Sequence, residues 1–258
     1  KMNDDYDMEY DLDLSGIIAF GKVAAVSKTL TSIDLSNCGI AAAGIAEVTK
    51  FISAEAALNS LRCGSNPITD KGMIPLLDAV KGIGLTELDI SKTQVGPPTA
   101  AKLAEVLADG TPFSAALNSL AVGSNPIGDE AMVQLLDGLK DVSLASLDIS
   151  KTQSGVSTAT KLAELLSEET KFRAALTSIN CLANQFGEED LTILLTAIEG
   201  TSVRSLCGLT EGQTVADFSG QNLGPIDVKI MAAEYVFQGF IAAVTSLNCL
   251  NNPLGEGL

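Results

Sequence analysis

The chain has 258 residues, of which 46% are hydrophobic, so it can bury a sizeable apolar core. Only 4% are aromatic and none is Trp, so that core must consist of Leu, Ile, Val and Ala. The net charge of −16 argues against binding to nucleic acid or to an anionic membrane, and the absence of His excludes His-based triads and His metal ligands.

Residues 1–13 form an acidic N-terminal arm. Residues 3–11 alone contain five acids and two tyrosines, Tyr6 and Tyr10. Such a composition is typical of disorder. Mixed acidic and aromatic side chains also suit docking onto a basic protein surface. Tyr6 and Tyr10 are therefore candidate partner-binding residues.

Residues 14–206 are dominated by an internal repeat. Residues 58–116 and 117–175 are identical at 35 of 59 positions. Each 59-residue unit consists of two smaller repeats, which obey the pattern L-x-x-L-x-L-x-x-N-x-L. The repeats open at Leu30, Leu58, Leu85, Leu117, Leu144, Leu176 and Val203, and the pattern returns at Val244.

This pattern predicts one short strand and one helix in each repeat. Apolar residues at positions 4 and 6 alternate, so they point inward from a strand. Asn at position 9 can satisfy main-chain groups that the following turn leaves unpaired, and we expect Asn66, Asn125, Asn184 and Asn252 to be buried. Helical spacing follows each strand, with Asp70, Thr99 and Thr158 as candidate N-caps.

The repeat resembles the leucine-rich-repeat family, and within it the ribonuclease-inhibitor-like class. The phrase at residues 205–224 is similar to segments of large repeat proteins of microalgae and other protists. The resemblance implies an α/β fold, a right-handed horseshoe-shaped solenoid with a parallel concave sheet and convex helices. It also implies protein binding.

The concave face offers a second set of candidate partner-binding residues. The outward positions of the strands and the turns after them contribute Arg62, Asp89, Lys92, Asp148 and Lys151. Pairing of Arg62 with Asp34 or Asp89 would account for part of this charge. The face lacks Trp and Tyr, which are common binding anchors.

The repeat is interrupted at residues 207–223. Gly208 stands at an inward position, and residues 209–214 leave no room for a helix. Cys207 falls at an outward position, so we expect it to be exposed. The segment is either a binding notch, with Cys207 and Gln221 as candidate contacts, or a junction between two arrays. Residues 224–258 resume the repeat and stop before its helix, which makes Leu254 a further candidate at an uncapped end.

These features predict a non-catalytic protein-protein interaction module without metal or cofactor. One alternative is a structural subunit of a larger organellar or cytoskeletal assembly. Another is an inhibitor or activator of an enzyme. The partner is expected to be a protein, with a basic surface suiting the acidic chain, and not nucleic acid or a membrane. Five Cys at wide spacing indicate free thiols in a reducing intracellular compartment, either the cytoplasm or an organelle.

Overall fold

A computed structural model describes residues 10–11, 13–24, 27, 29–52, 57–108 and 110–255. Within these residues, three-residue strands alternate with helices, as the repeat predicts. The strands are β1 (Ser32–Asp34), β2 (Ser60–Arg62), β3 (Glu87–Asp89), β4 (Ser119–Ala121), β5 (Ser146–Asp148), β6 (Ser178–Asn180), β7 (Val215–Asp217) and β8 (Ser246–Asn248).

The helices form a second layer. They are α1 (Ser15–Ala24), α2 (Ala42–Thr49), α3 (Thr69–Val80), α4 (Pro97–Ala108), α5 (Pro112–Ala116), α6 (Asp129–Leu139), α7 (Val156–Ser167), α8 (Lys171–Ala175), α9 (Glu188–Ile198) and α10 (Pro225–Val236), followed by a 3-10 helix, Phe240–Ala243. The short helices α5 and α8 lie in the two 32-residue repeats and account for their extra length.

The strands form two parallel sheets. The first contains β1 to β6 in chain order, and equivalent repeat positions are paired throughout, for example Leu88 with Leu120. The second contains only β7 and β8. We call β1–β6 with their helices the first array, and β7, β8 and α10 the second. The predicted α/β leucine-rich-repeat fold is confirmed.

The inward strand positions build the core. Leu61, Leu88, Leu120 and Leu147 at position 4 are all buried, as predicted. Helix residues such as Leu135 close the core from the other side. One strand and one helix cannot bury these side chains alone, so the stacking of repeats is what stabilises the fold.

The position-9 asparagines join neighbouring repeats. Asn125 Oδ1 accepts the N–H groups of Thr93 and Val95, and its Nδ2 donates to the Ile90 carbonyl at 2.8 Å. Asn66 repeats this network and is also buried. Asn184 and Asn252 bond main-chain groups too, but they are only half-buried. The prediction is therefore confirmed for the bonding of all four and for the burial of two.

The predicted N-caps are wrong in their details. Asp70 lies inside α3 and caps the helix of the next repeat: its Oδ1 accepts the N–H of Gly96 at 2.9 Å and the hydroxyl of Thr99 at 2.6 Å. Asp129 does the same for α7 through Gly155 and Thr158. Thr99 and Thr158 lie within their helices. Each cap thus comes from the preceding repeat, because stacking places the first turns of neighbouring helices side by side.

In the part of the chain that the structure describes, no helix is long and apolar enough to cross a bilayer.

Candidate interaction surface

Arg62 on the strand face pairs with a different acid from those expected. Its guanidinium contacts the Glu87 carboxylate at 2.6 Å, and Glu87 also accepts the Ser60 hydroxyl at 2.8 Å. Asp34 and Asp89 act on Arg62 only through their charge. The β2–β3 ladder pairs Arg62 directly with Asp89, but Asp89 accepts the N–H of Ser91, and the guanidinium reaches diagonally to Glu87, the ladder partner of Ser60. Arg62 is thereby held in the sheet rather than free for a ligand.

The outward acids Asp89 and Asp148 each accept a main-chain N–H group just after the end of their strand. Asp148 Oδ1 accepts the N–H of Ser150 at 2.8 Å, and Asp89 accepts that of Ser91 at 2.9 Å. Burial raises the pKa of the Asp148 carboxyl. The hydrogen bonds from Ser150 lower it in part, and the charge of neighbouring Asp89 raises it further. Asn180 and Asn248 make the same turn without a charge. These side chains therefore have a structural role.

Lys92 and Lys151 lie at position 8, where the chain turns with a left-handed residue after each of the eight strands. Their φ angles are 55° and 53°. The residues in this row are Asn37, Ser65, Lys92, Ser124, Lys151, Ala183, Gly220 and Asn251. Lys151 is half-buried and forms no ion pair among the described residues. Burial, together with the charge of Lys92, lowers the pKa of Lys151.

Cys207 is buried, with 2% of its surface exposed, so the expectation that it is exposed is wrong. Among the residues that the structure describes, only isolated bridges at Ser205 and Cys207 continue the first sheet after β6. The chain then turns away at Gly208, whose φ is 75° and whose missing Cβ would lie 2.7 Å from Cβ of Asn180. The repeat at Val203 therefore forms no regular strand, and the Cys207 side chain is enclosed. Burial raises the pKa of this thiol well above its usual value.

A buried carboxylate on α10 holds residues 205–207, where the chain leaves the first sheet. Glu234 is completely buried, and its Oε2 accepts the N–H groups of Leu206 at 2.8 Å and Cys207 at 3.2 Å and the Ser205 hydroxyl at 3.1 Å. Its Oε1 accepts the N–H of Ile241 at 3.1 Å. Four donors thus compensate the burial of one charge. Sequence reasoning missed Glu234, which lies in a mainly apolar part of the sequence, residues 231–244.

Side chains also replace the hydrogen bonds that the sheet break removes. In the first array the position-8 N–H donates to a carbonyl of the next repeat, as Lys151 does to Leu182. Ala183 has no such carbonyl, and Oδ1 of Asp227 accepts its N–H at 2.7 Å instead. On the other edge, Gln221 Nε2 donates to the Asp217 carbonyl and Gln213 Nε2 to that of Val215. Gln221 therefore caps β7.

The interruption leaves a groove on each side of the junction. The first, near the strand ends, has a volume of about 670 Å³ and is lined in part by Lys151, Phe186 and Asp227. The second lies between the C-terminal halves of α9 and α10. It has a volume of about 760 Å³, and its lining includes Leu195 and Val236.

The remaining candidates are scattered. Tyr6 lies outside the described residues. Tyr10 is exposed and close to Gly39 at the other end of the solenoid, next to Asp11, which caps α2 through Ala41. Leu254 is half-buried after β8. The structure thus brings Lys151 close to the junction, whereas Tyr10, Arg62 and Leu254 stand apart from one another.

Comparison with known proteins agrees with the repeat. Residues 26–48 match a family model described as Leucine Rich repeat. Among solved structures the chain is similar to an internalin from Listeria monocytogenes, with 18% identity and a TM-score of 0.30 over 94% of this chain and 89% of that one. No curated protein matches. Because the internalin does not superpose closely, the architecture rests on this chain's own geometry, which is that of a leucine-rich-repeat solenoid.

Proposed function

We propose that this chain is a non-catalytic protein-binding module whose contact surface is the junction between its two arrays. The supporting observation is that the junction interrupts both the sheet layer and the helix layer. At this interruption, side chains bond the main-chain groups that have lost their partners in the sheet. These side chains are Glu234, Asp227, Gln213 and Gln221. An interruption whose main-chain groups bond to these side chains is a defined feature of the fold, and it leaves a groove on each face. Grooves between secondary-structure elements are common docking sites for segments of partner proteins.

Crosslinking mass spectrometry on the native complex tests this surface. Lys151 lines the strand-side groove, and Lys229 lies on α10 beside Glu188. Lys102 and Lys161 on α4 and α7 serve as controls, since both lie on the helix side of the regular repeats. We expect crosslinks to partner proteins at Lys151 or Lys229. Crosslinks confined to Lys102 and Lys161 would show that the chosen surface is wrong, and substrate turnover by the pure chain would contradict a non-catalytic role.

A structural subunit of a larger assembly is the second candidate. Large apolar side chains are exposed mainly in the second array, namely Val215, Val228, Tyr235, Val236, Leu247 and Leu250. Such a concentration favours burial against other proteins. Native mass spectrometry separates the candidates, because a subunit stays in a stoichiometric complex after dilution and a module dissociates.

We further propose the ribonuclease-inhibitor-like class and a reducing intracellular compartment. A full α-helix in each regular repeat supports the first proposal. Five unpaired cysteines support the second, and burial raises the pKa of Cys63 and Cys181 to about 12. Intact mass before and after reduction tests for disulfides, and a gain of two protons would contradict the proposed compartment.

A further inference from the structure

The helix layer has a gap between α9 and α10. The repeat that opens at Val203 lies between those of α9 and α10, and its residues 208–214 contain no helix. An ion pair of Lys229 with Glu188 joins α10 to α9 near their N-terminal ends. Their C-terminal halves bound the groove of about 760 Å³. The groove therefore lies where the regular repeat would place one more helix.

The lining of this groove is mainly apolar. It includes Leu195, Ile198, Val203, Ala233, Val236 and Phe237. Val236 is 80% exposed, and Leu195 and Phe237 are half-buried. An exposed valine among other apolar side chains provides area that a ligand can remove from water.

The charge at the rim favours a cationic ligand. Glu199 follows the last residue of α9, is exposed and forms no ion pair among the described residues. The C-terminal end of a helix attracts positive charge as well. Arg204 brings one positive charge to the same groove, and its guanidinium donates to the carbonyls of Thr201 and Val203. The preference for a cation therefore rests on the end of α9 and on the net charge of −16 of the chain.

We propose that this groove binds an amphipathic α-helix of a partner protein, with an apolar stripe over Val236 and a basic residue at Glu199. The inference rests on the proposed function and specifies the partner's contacting element. A helix suits the site because both walls are helices and the interrupted repeat supplies no helix of its own to cover the groove. Helices commonly dock through an apolar face in such grooves.

Binding of designed peptides tests the proposal. The probe is a fluorescent amphipathic Leu/Lys peptide of about 15 residues, long enough to form a helix on binding. Its controls are a scrambled Leu/Lys peptide and a Leu/Glu peptide with the same apolar pattern. We expect the intact chain to bind the amphipathic Leu/Lys peptide and neither control, as measured by fluorescence anisotropy.

Two substitutions locate the binding. Val236→Asp should weaken peptide binding by about tenfold or more, because it places a charge in the apolar contact. The added negative charge also attracts a basic peptide unspecifically, so the control variant must carry the same charge. Glu199→Lys should also weaken peptide binding. Val156→Asp on α7 is the matched control, since Val156 is 59% exposed on a regular repeat. Val236→Ser provides a second, uncharged variant with the same expected loss.

Equal affinity for Val236→Asp and the intact chain, or for the scrambled and ordered peptides, would overturn the proposal. Native crosslinks at Lys151 with no peptide binding would overturn it too, but would leave the proposed function standing. Peptide binding at Val236 with native crosslinks confined to Lys102 and Lys161 would support the groove and contradict the junction as the native surface.

Discussion

Glu234 Oε2 accepts the N–H of Leu206 at 2.8 Å, so an acid of the second array holds the segment where the chain leaves the first array. The same carboxylate fixes Ile241 on the 3-10 helix. The two arrays are thus joined by a buried charge that bonds main-chain groups on both sides. This contact makes the junction a defined structure at the point where the sheet is interrupted.

Glu234→Gln should loosen the junction selectively. Glutamine keeps one acceptor oxygen, and its NH2 group would face a main-chain donor. We expect a loss of about 1–3 kcal/mol, because a buried main-chain donor would be left unpaired. Hydrogen exchange should accelerate at Leu206, Cys207 and Ile241, while β2 to β4 keep their protection. Glu211→Gln, on an exposed turn, is the control, and unchanged protection at Leu206 would contradict the role of Glu234.

Asp129→Ala should destabilise the chain by about 1–2 kcal/mol at neutral pH, since it removes the cap of α7. Partial burial tends to raise the pKa of Asp129, but hydrogen bonds from Thr158 and Gly155 hold this pKa well below its ordinary value of 3.8. Its stabilisation is therefore complete above about pH 4 and is lost as the pH falls toward the lower folded pKa.

Urea unfolding at several pH values checks the Asp129 prediction. Glu130→Ala in the same turn of α6 is the control, because Glu130 is exposed and makes no hydrogen bond with the described residues. Equal unfolding free energies for the two variants at neutral pH would disagree with the expected inter-repeat cap.

Asp148→Asn should raise stability at neutral pH. The pKa of Asp148 is raised in the folded state, so its ionisation costs stability as the pH rises from the unfolded value of 3.8 through the folded one. Asparagine keeps the acceptor for Ser150, as Asn180 does for Leu182. The gain should vanish below about pH 4, where the acid is protonated in both states.

Asp34→Asn is the matched comparison for Asp148→Asn. Hydrogen bonds from Ser36 lower the pKa of the exposed Asp34, so this change should reduce stability or leave it unaltered. Thermal unfolding at neutral and acid pH measures both variants. A gain from Asp34→Asn as large as that from Asp148→Asn would show that the general relief of negative charge is responsible.

Asn125→Leu should cost roughly 1–3 kcal/mol, because it leaves buried main-chain groups of Thr93, Val95 and Ile90 unpaired. Asn184→Leu should cost less, since Asn184 is half-buried beside the break, where water can replace its bonds. Chemical unfolding of the two variants gives the comparison. A neutral effect of Asn125→Leu would disprove the role assigned to position 9.

The sequence by itself determined the repeated unit of this protein. A strand and helix of fixed spacing recur, so Leu61, Leu88, Asn125 and the absence of a helix after Gly208 could all be predicted from one or two neighbouring repeats. Regular solenoids permit this because each repeat contacts mainly the next.

Only the tertiary structure decided which side chains complete the interruption and the strand ends. Cys207 is buried because the chain turns at Gly208, and Arg62 reaches diagonally to Glu87 although the strand register pairs it with Asp89. Asp227 and Glu234 bond groups 44 and 28 residues away. A repeat pattern describes equivalent neighbours, and at the break there are none, so these contacts depend on how two arrays come together in space.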